Sequence, residues 1–204
     1  MAQLDDISDL QRGVVSRDQA LQAGLGPETV RRHLRSGHWQ RMIPGIYATF
    51  PGRPPPGARR WAAVLHAGSG AMLCCHSAAE EAGLAAPGRG AIHVLIPEFR
   101  RISPILGIVT HRSRHAAARR DPLRLPPQTR VEETVLDLAA TARVPADALR
   151  WVTTACTRQL TTPERLARAL AARPRLPRRK AVGSLIRLAA DGHVAPLPSW
   201  PPTR

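Results

Sequence analysis

Glycine and proline cut the first fifty residues into pieces too short for anything but a small packed domain. Gly13, Gly24, Gly26, Gly37 and Gly45 fall at short intervals, with Pro27 and Pro44 set among them. Each glycine stops a helix or permits a tight turn. Between the stops, Leu4, Ile7 and Leu10 lie at helical spacing and predict a helix over about 4–12. Val14-Val15 reads as a brief extended segment. Ser16 is a good N-cap for a second helix through Ala23, with Ala20 and Leu21 inward. Pro27 suits a first helical position and Glu28 the positive end of a helix dipole, which predicts a third helix to about Ser36.

The faces of that third helix matter most. Val30 and Leu34 are four apart and are expected inside, which leaves Thr29, Arg31, Arg32, His33 and Arg35 for the remaining surface. Two helices joined by a tight glycine turn, the second one basic, describe a helix-turn-helix. Residues 39–43 and 46–50 then read as two strands around Pro44-Gly45, a hairpin that forms a wing. Arg41 and Arg53 reach the sugar-phosphate backbone beside it in this reading. Sequence alone does not divide base contacts from phosphate contacts.

Charge supports a polyanionic partner. The 204 residues carry 30 Lys plus Arg against 15 Asp plus Glu, a formal net charge of +15. Lys180 is the sole lysine, so a coding bias toward arginine is present, but such a bias does not explain the shortage of acids. Three cysteines, two adjacent at Cys74-Cys75, make no disulfide framework. No apolar run approaches the ~18 residues of a membrane span. The acidic start MAQLDDISDL lacks the order of a signal peptide, so the expected location is the cytoplasm.

The run GVVSRDQALQAGLGPETVRRHLRSGHWQRMIPGIYAT resembles the N-terminal part of the AbiEi-type antitoxin and transcriptional-regulator family. The resemblance continues through WAAVLHAGSGAMLCCHSAAEEAGL, AIHVLIP, GIVTHRS and TRVEETVLDLAA. It implies a winged helix followed by an antitoxin-like domain, and a repressor that binds inverted repeats and opposes a nucleotidyltransferase-like toxin. Arg31, Arg32 and Arg35 fall on the family's recognition helix, and Arg41 and Arg53 on or beside its wing. Many relatives carry a further endonuclease-like domain that this sequence lacks room for. Cys74-Cys75 departs from the small or polar residues expected beside His76, which matches a recurrent histidine of the family and is a candidate partner contact.

The whole chain is expected to be mixed α/β (α+β), with its helices concentrated toward the C-terminus. The expected division is a winged helix over 1–52, a stiff linker over 53–57, a mixed α/β domain over 58–192 and an irregular tail over 193–204. Helices are predicted near 58–67, 77–83, from 131, and over 146–158, 163–172 and 178–190. Strands are predicted at 72–74, 92–96 and 105–109. Thr161 or Thr162 caps the helix at Pro163. Arg178, Arg179 and Lys180 form a basic cluster, a second candidate phosphate contact or an ordinary solvated helix start.

Catalysis is not expected, and neither are a cofactor or a metal. A metal-dependent nuclease needs converging carboxylates, commonly with a lysine close by in sequence, and no acid lies near Lys180. Glu133 and Asp137 share a helix face, but the simpler reading is that they balance arginines. Cys74, Cys75 and His76 are consecutive and poorly placed for one tetrahedral ion, and His111 and His115 are separated by a strand-to-loop crossing. Three functions stay open. The first is a sequence-specific double-stranded DNA-binding repressor, acting at an operator and a homodimer if the site is palindromic. The second is an antitoxin that neutralises a cognate toxin protein through contact. The third is a truncated nuclease remnant.

Overall fold

The computed structural model describes residues 2–191 and Trp200. It is an N-terminal mixed α/β part of winged-helix form followed by a largely helical C-terminal part, as expected. The elements begin with α1 (Ala2–Leu10), β1 (Val14–Ser16), α2 (Arg17–Gln22), α3 (Pro27–Arg35), β2 (Gln40–Ile43) and β3 (Ile46–Ala48). Then come α4 (Pro56–Ala67), β4 (Met72–Leu73), α5 (Cys75–Glu81), β5 (Ile92–Pro97), β6 (Ile108–Ser113) and α6 (Ala116–Arg119). Four helices follow: α7 (Val131–Thr141), α8 (Pro145–Thr157), α9 (Pro163–Ala171) and α10 (Arg179–Asp191). Contacts gather them into two compact units, 1–73 with 89–128, and 74–88 with the chain from Thr129 onward.

In the first unit, local chemistry sets the helix ends. Ser16 Oγ accepts from the Gln19 amide at 3.1 Å while Gln19 Oε1 accepts from the Ser16 amide at 2.9 Å, a complete capping box. Such a cap is worth about 1 kcal/mol. Pro27 opens α3 and Ser36 closes it, with Gly37 beyond at φ 74°. The sheet order is β1-β3-β2, antiparallel throughout. Its side chains alternate between faces. Val15 and Tyr47 join Leu4, Ala20, Val30 and Trp39 under the three N-terminal helices. Val14 and Ile46 point the other way, onto Ala58, Trp61 and Ala62 of α4.

A second sheet in this unit has the order β4-β5-β6, with β4–β5 antiparallel and β5–β6 parallel. Here the sequence reading needs correction. The strand expected at 105–109 lies at 108–113. The Ile92 amide donates to Gly107 O at 2.8 Å and the Ile108 amide to Ile105 O at 3.0 Å, so 105–107 form a turn with Gly107 at φ 82°. Leu106 is fully exposed there, and its apolar character carried no burial information. The short α6 was not anticipated. α4 starts at Pro56, inside the stretch 53–57, and α5 starts at Cys75, two residues early.

The second unit is helical. Val135, Leu136, Val152, Leu166, Leu185 and Ile186 are buried in one cluster shared by α7, α8, α9 and α10. Thr162 Oγ1 accepts from the Arg165 amide at 3.3 Å, so Thr162 is the cap of α9. Thr161 is buried instead, and its hydroxyl donates to Glu132 at 2.7 Å. The expected tail, 193–204, lies outside the described residues apart from Trp200, whose indole Nε1 donates to Ala142 O at 3.0 Å.

Gly13 tolerates no side chain without a shift of its surroundings. Its φ is 77°, and a Cβ there would lie 2.5 Å from two Phe50 ring atoms. Gly13→Ala is expected to lower the unfolding free energy by about 2–4 kcal/mol, combining left-handed strain with overpacking, as read from denaturant titration.

Candidate nucleic-acid interface

α3 is strongly amphipathic. Val30 is buried and Leu34 half-buried, while Arg31, Arg32 and Arg35 are exposed and Thr29 is half-buried. Glu28, at the helix start, gathers two of the arginines. Arg31 Nη1 donates to one carboxylate oxygen at 2.7 Å and Arg35 Nη2 to the other at 2.6 Å. These bonds, Arg35's first and Arg31's second, hold the Glu28 carboxyl below its ordinary range. All three side chains remain about two-thirds exposed, so the pairs contribute little to stability. Their effect is positional: Arg31 and Arg35 are held along one stripe of the helix. Arg32 carries no ion pair or side-chain hydrogen bond among the described residues.

His33 has a packing role. Its ring stacks on the buried Trp39, with centroids 5.1 Å apart and planes 15° apart, and the Trp39 amide donates to His33 O at 3.0 Å. Trp39 in turn leans on Tyr47. This stack ties the end of α3 to the start of the wing.

The wing is tight. Pro44-Gly45 joins β2 to β3 with Gly45 at φ 75°, and Gly45 O accepts from the Arg17 amide at 2.8 Å. Arg41 is exposed on β2, in register with Tyr47 of β3. Gln40 Nε2 donates to Phe50 O at 2.7 Å and to Gly52 O at 2.6 Å, which fastens the segment leading to the exposed Arg53. Sequence reasoning missed this latch and the double pairing of Glu28. It also passed over Arg17, exposed at the first position of α2 beside the wing turn. The cap at Ser16 was the signal for that last placement.

Most of the other sequence-selected residues lie in the helical unit, and His111 and His115 in the first. Arg178 is half-buried, donates to the carbonyls of Ala140 and Ala142, and lies 4.9 Å over the Trp200 ring. Arg179 is also half-buried, and its Nε is enclosed without a hydrogen-bond partner. Lys180 alone of the three is exposed. His76 is exposed and meets Trp151 edge to face, with centroids 5.7 Å apart. Glu133 and Asp137 do share a face, and both are held by Arg173, at 3.3 and 2.7 Å. The buried Glu132 is paired by Arg165 at 2.8 Å. These carboxylates balance arginines. His111 does not meet His115: its Nε2 lies 3.0 Å from Nδ1 of His93 on β5, while His115 accepts from Arg114. None of the three cysteines is in a disulfide among the described residues, and burial pushes the Cys156 thiol up, helped by the charge of Glu164.

Residues 2–49 match a family described as transcriptional regulator, AbiEi antitoxin. The match runs from α1 through β3, so it coincides with the winged helix. No curated protein matches the chain. Among solved structures, the RV2827C protein from Mycobacterium tuberculosis is similar in fold, with a TM-score of 0.56 and 22% sequence identity. The alignment covers 91% of this chain and 77% of that one. Among the described residues no helix is long and apolar enough to cross a membrane.

Two outcomes follow from this geometry. In Arg35→Ala the Glu28 carboxyl is expected to titrate at higher pH than in the parent protein, as followed by carbon-13 NMR, because the larger of the two depressing bonds is gone. Trp39→Ala is expected to cost about 3–5 kcal/mol in a thermal or denaturant melt, since the stack and the buried indole are lost together.

Proposed function

We propose that this protein is a sequence-specific, double-stranded-DNA-binding transcriptional regulator of the cytoplasm that represses by occupying an operator. The observation that carries the reading is α3, a basic, solvent-facing helix held at the reading position of a winged-helix frame. Its family match at 2–49 supports the same reading. In the proposed complex α3 enters a major groove, presenting Thr29, Arg31, Arg32 and Arg35 to base edges and nearby phosphates. Arg41 and Arg53 touch the backbone beside it, and His33 steadies the end of the helix. Bound protein blocks polymerase, and no covalent step is involved. In this reading the proposed division gives 1–52 the reading of DNA and the later chain regulation or partner contact.

Glu28 takes part in this reading as a brake. Its carboxylate competes with phosphate and with guanine for Arg31 and Arg35, and it repels the backbone. Glu28→Gln is therefore expected to bind any duplex about 3- to 10-fold more tightly, with a steeper salt dependence and less preference for the operator.

A second reading rests on the word antitoxin in the matched family's description. In it the chain contacts a toxin protein through the later domain, with the exposed His76 on its surface. As a second phosphate contact in the DNA-binding reading, the Arg178–Lys180 cluster contributes through Lys180, because Arg178 is engaged by carbonyls and Arg179 is half-buried.

The test is fluorescence anisotropy on the duplex upstream of its own gene against a scrambled duplex, at three salt concentrations. Preference for the native duplex by ~10³-fold, lost in Arg31→Ala/Arg32→Ala, is the expected result. Equal and steeply salt-dependent binding to both duplexes would overturn the operator reading and leave a polycation effect. Co-purification with a toxin encoded next door would then favour the second reading.

A further inference from the structure

A cleft of about 840 Å³ opens in the first unit, between the start of α2 with the wing turn on one side and the end of α4 with the 68–71 loop on the other. Its volume is in the range of small-molecule sites and far exceeds what a bare inorganic anion fills. Apolar surface comes from Leu65, Pro44 and Pro127, with edges of the largely buried Trp61. Three arginines line it, Arg17, Arg100 and Arg120, against a single acidic residue, Asp18.

The walls are fixed. Arg100 Nε donates to Ala67 O at 2.6 Å, and its guanidinium occupies the space that a Cβ on Gly68 would fill, 2.0 Å from Nη2. His66, also in the lining, pairs its ring nitrogen with Ser103 O at 3.1 Å. Arg17 is set at the first position of α2 by the Ser16 cap and by its amide bond to Gly45 O. Among the described residues the side chains of Arg17 and Arg120 make neither ion pairs nor hydrogen bonds, and both are exposed. Cations brought to one cleft from separate segments repel each other, and an anion between them relieves that repulsion.

We propose that this cleft is a binding site for a small organic anion, a carboxylate on a flat apolar body. The head group takes charge-assisted hydrogen bonds from Arg17 and Arg120, with Arg100 behind them, and the body lies on Leu65 and the two prolines. The wing turn forms part of the wall, so an occupant touches the element that carries Arg41. Use of the site to control DNA affinity rests on the regulatory reading above. Binding itself does not.

The experiment titrates the full chain with 2-naphthoate and with its neutral isostere 2-naphthamide, by calorimetry. The expected result is one saturable site with naphthoate ~10-fold or more tighter than the amide. Arg17→Ala/Arg120→Ala is expected to lower naphthoate affinity ~10-fold and leave the amide unchanged. Arg31→Ala/Arg32→Ala, which removes equal charge on the far helix, is expected to leave both unchanged. Gln22→Glu, a second lining variant, adds a carboxylate and is expected to weaken naphthoate alone. Circular dichroism confirms that each variant is folded. Absence of saturable naphthoate binding in the millimolar range overturns the proposal. So does equal affinity for acid and amide, or an equal loss in the Arg31/Arg32 variant.

Discussion

Val14 and Val15 are neighbours in sequence and belong to different cores. β1 is three residues long, and its pleat sends Val15 under the N-terminal helices and Val14 onto α4. β3 does the same with Tyr47 and Ile46. The small sheet is therefore a partition with apolar material on both sides, and its register decides which residue goes where. A slip of one position would exchange the two faces of each strand. Ser16, next along, closes the strand and opens α2 through its capping box. Gly13, just before it, allows the chain to enter beneath the Phe50 ring. α2, β3 and the wing turn are all fastened to these few residues.

Arginine has different work in the two units. In the helical unit several arginines are structural. Arg173 spans Glu133 and Asp137, Arg165 pairs the buried Glu132, and Arg178 closes the end of α7 against its free carbonyls. Around the winged helix, Arg32, Arg41, Arg53 and Arg17 have no such partners among the described residues. The net charge of +15 is thus distributed unevenly in its availability, although the sequence total does not reveal this.

How far the sequence was legible depended on whether a signal was local. Capping at Ser16 and Thr162, proline at the first position of α3, and the stop at Gly37 each depend on a few adjacent residues, and each is found in place. The apolar run at 105–109 misled, because its burial depended on a turn that only pairing with Ile92 defines. The contact between His93 and His111 joins residues eighteen apart and needs the parallel register of β5 and β6. No one-dimensional pattern contains that register. Within the candidate interface, exposure of Arg31, Arg32 and Arg35 followed from helical spacing. The bond from each of two arginines to Glu28, the His33–Trp39 stack and the Gln40 latch required geometry.

If α3 reads DNA as proposed, its length limits how much information one copy of this chain can read. Nine residues make a helix about 13 Å long, which passes the edges of about four base pairs at their 3.4 Å spacing. A word of four base pairs recurs about once in 256 positions, while a genome offers on the order of 10⁶ or more competing sites. The tight Pro44-Gly45 turn adds little reach, since the wing is anchored back to α2 by the bond between Arg17 and Gly45. In that reading a single copy would address thousands of places equally well. In the same reading, an address that is unique has to be spelled by more than one such helix.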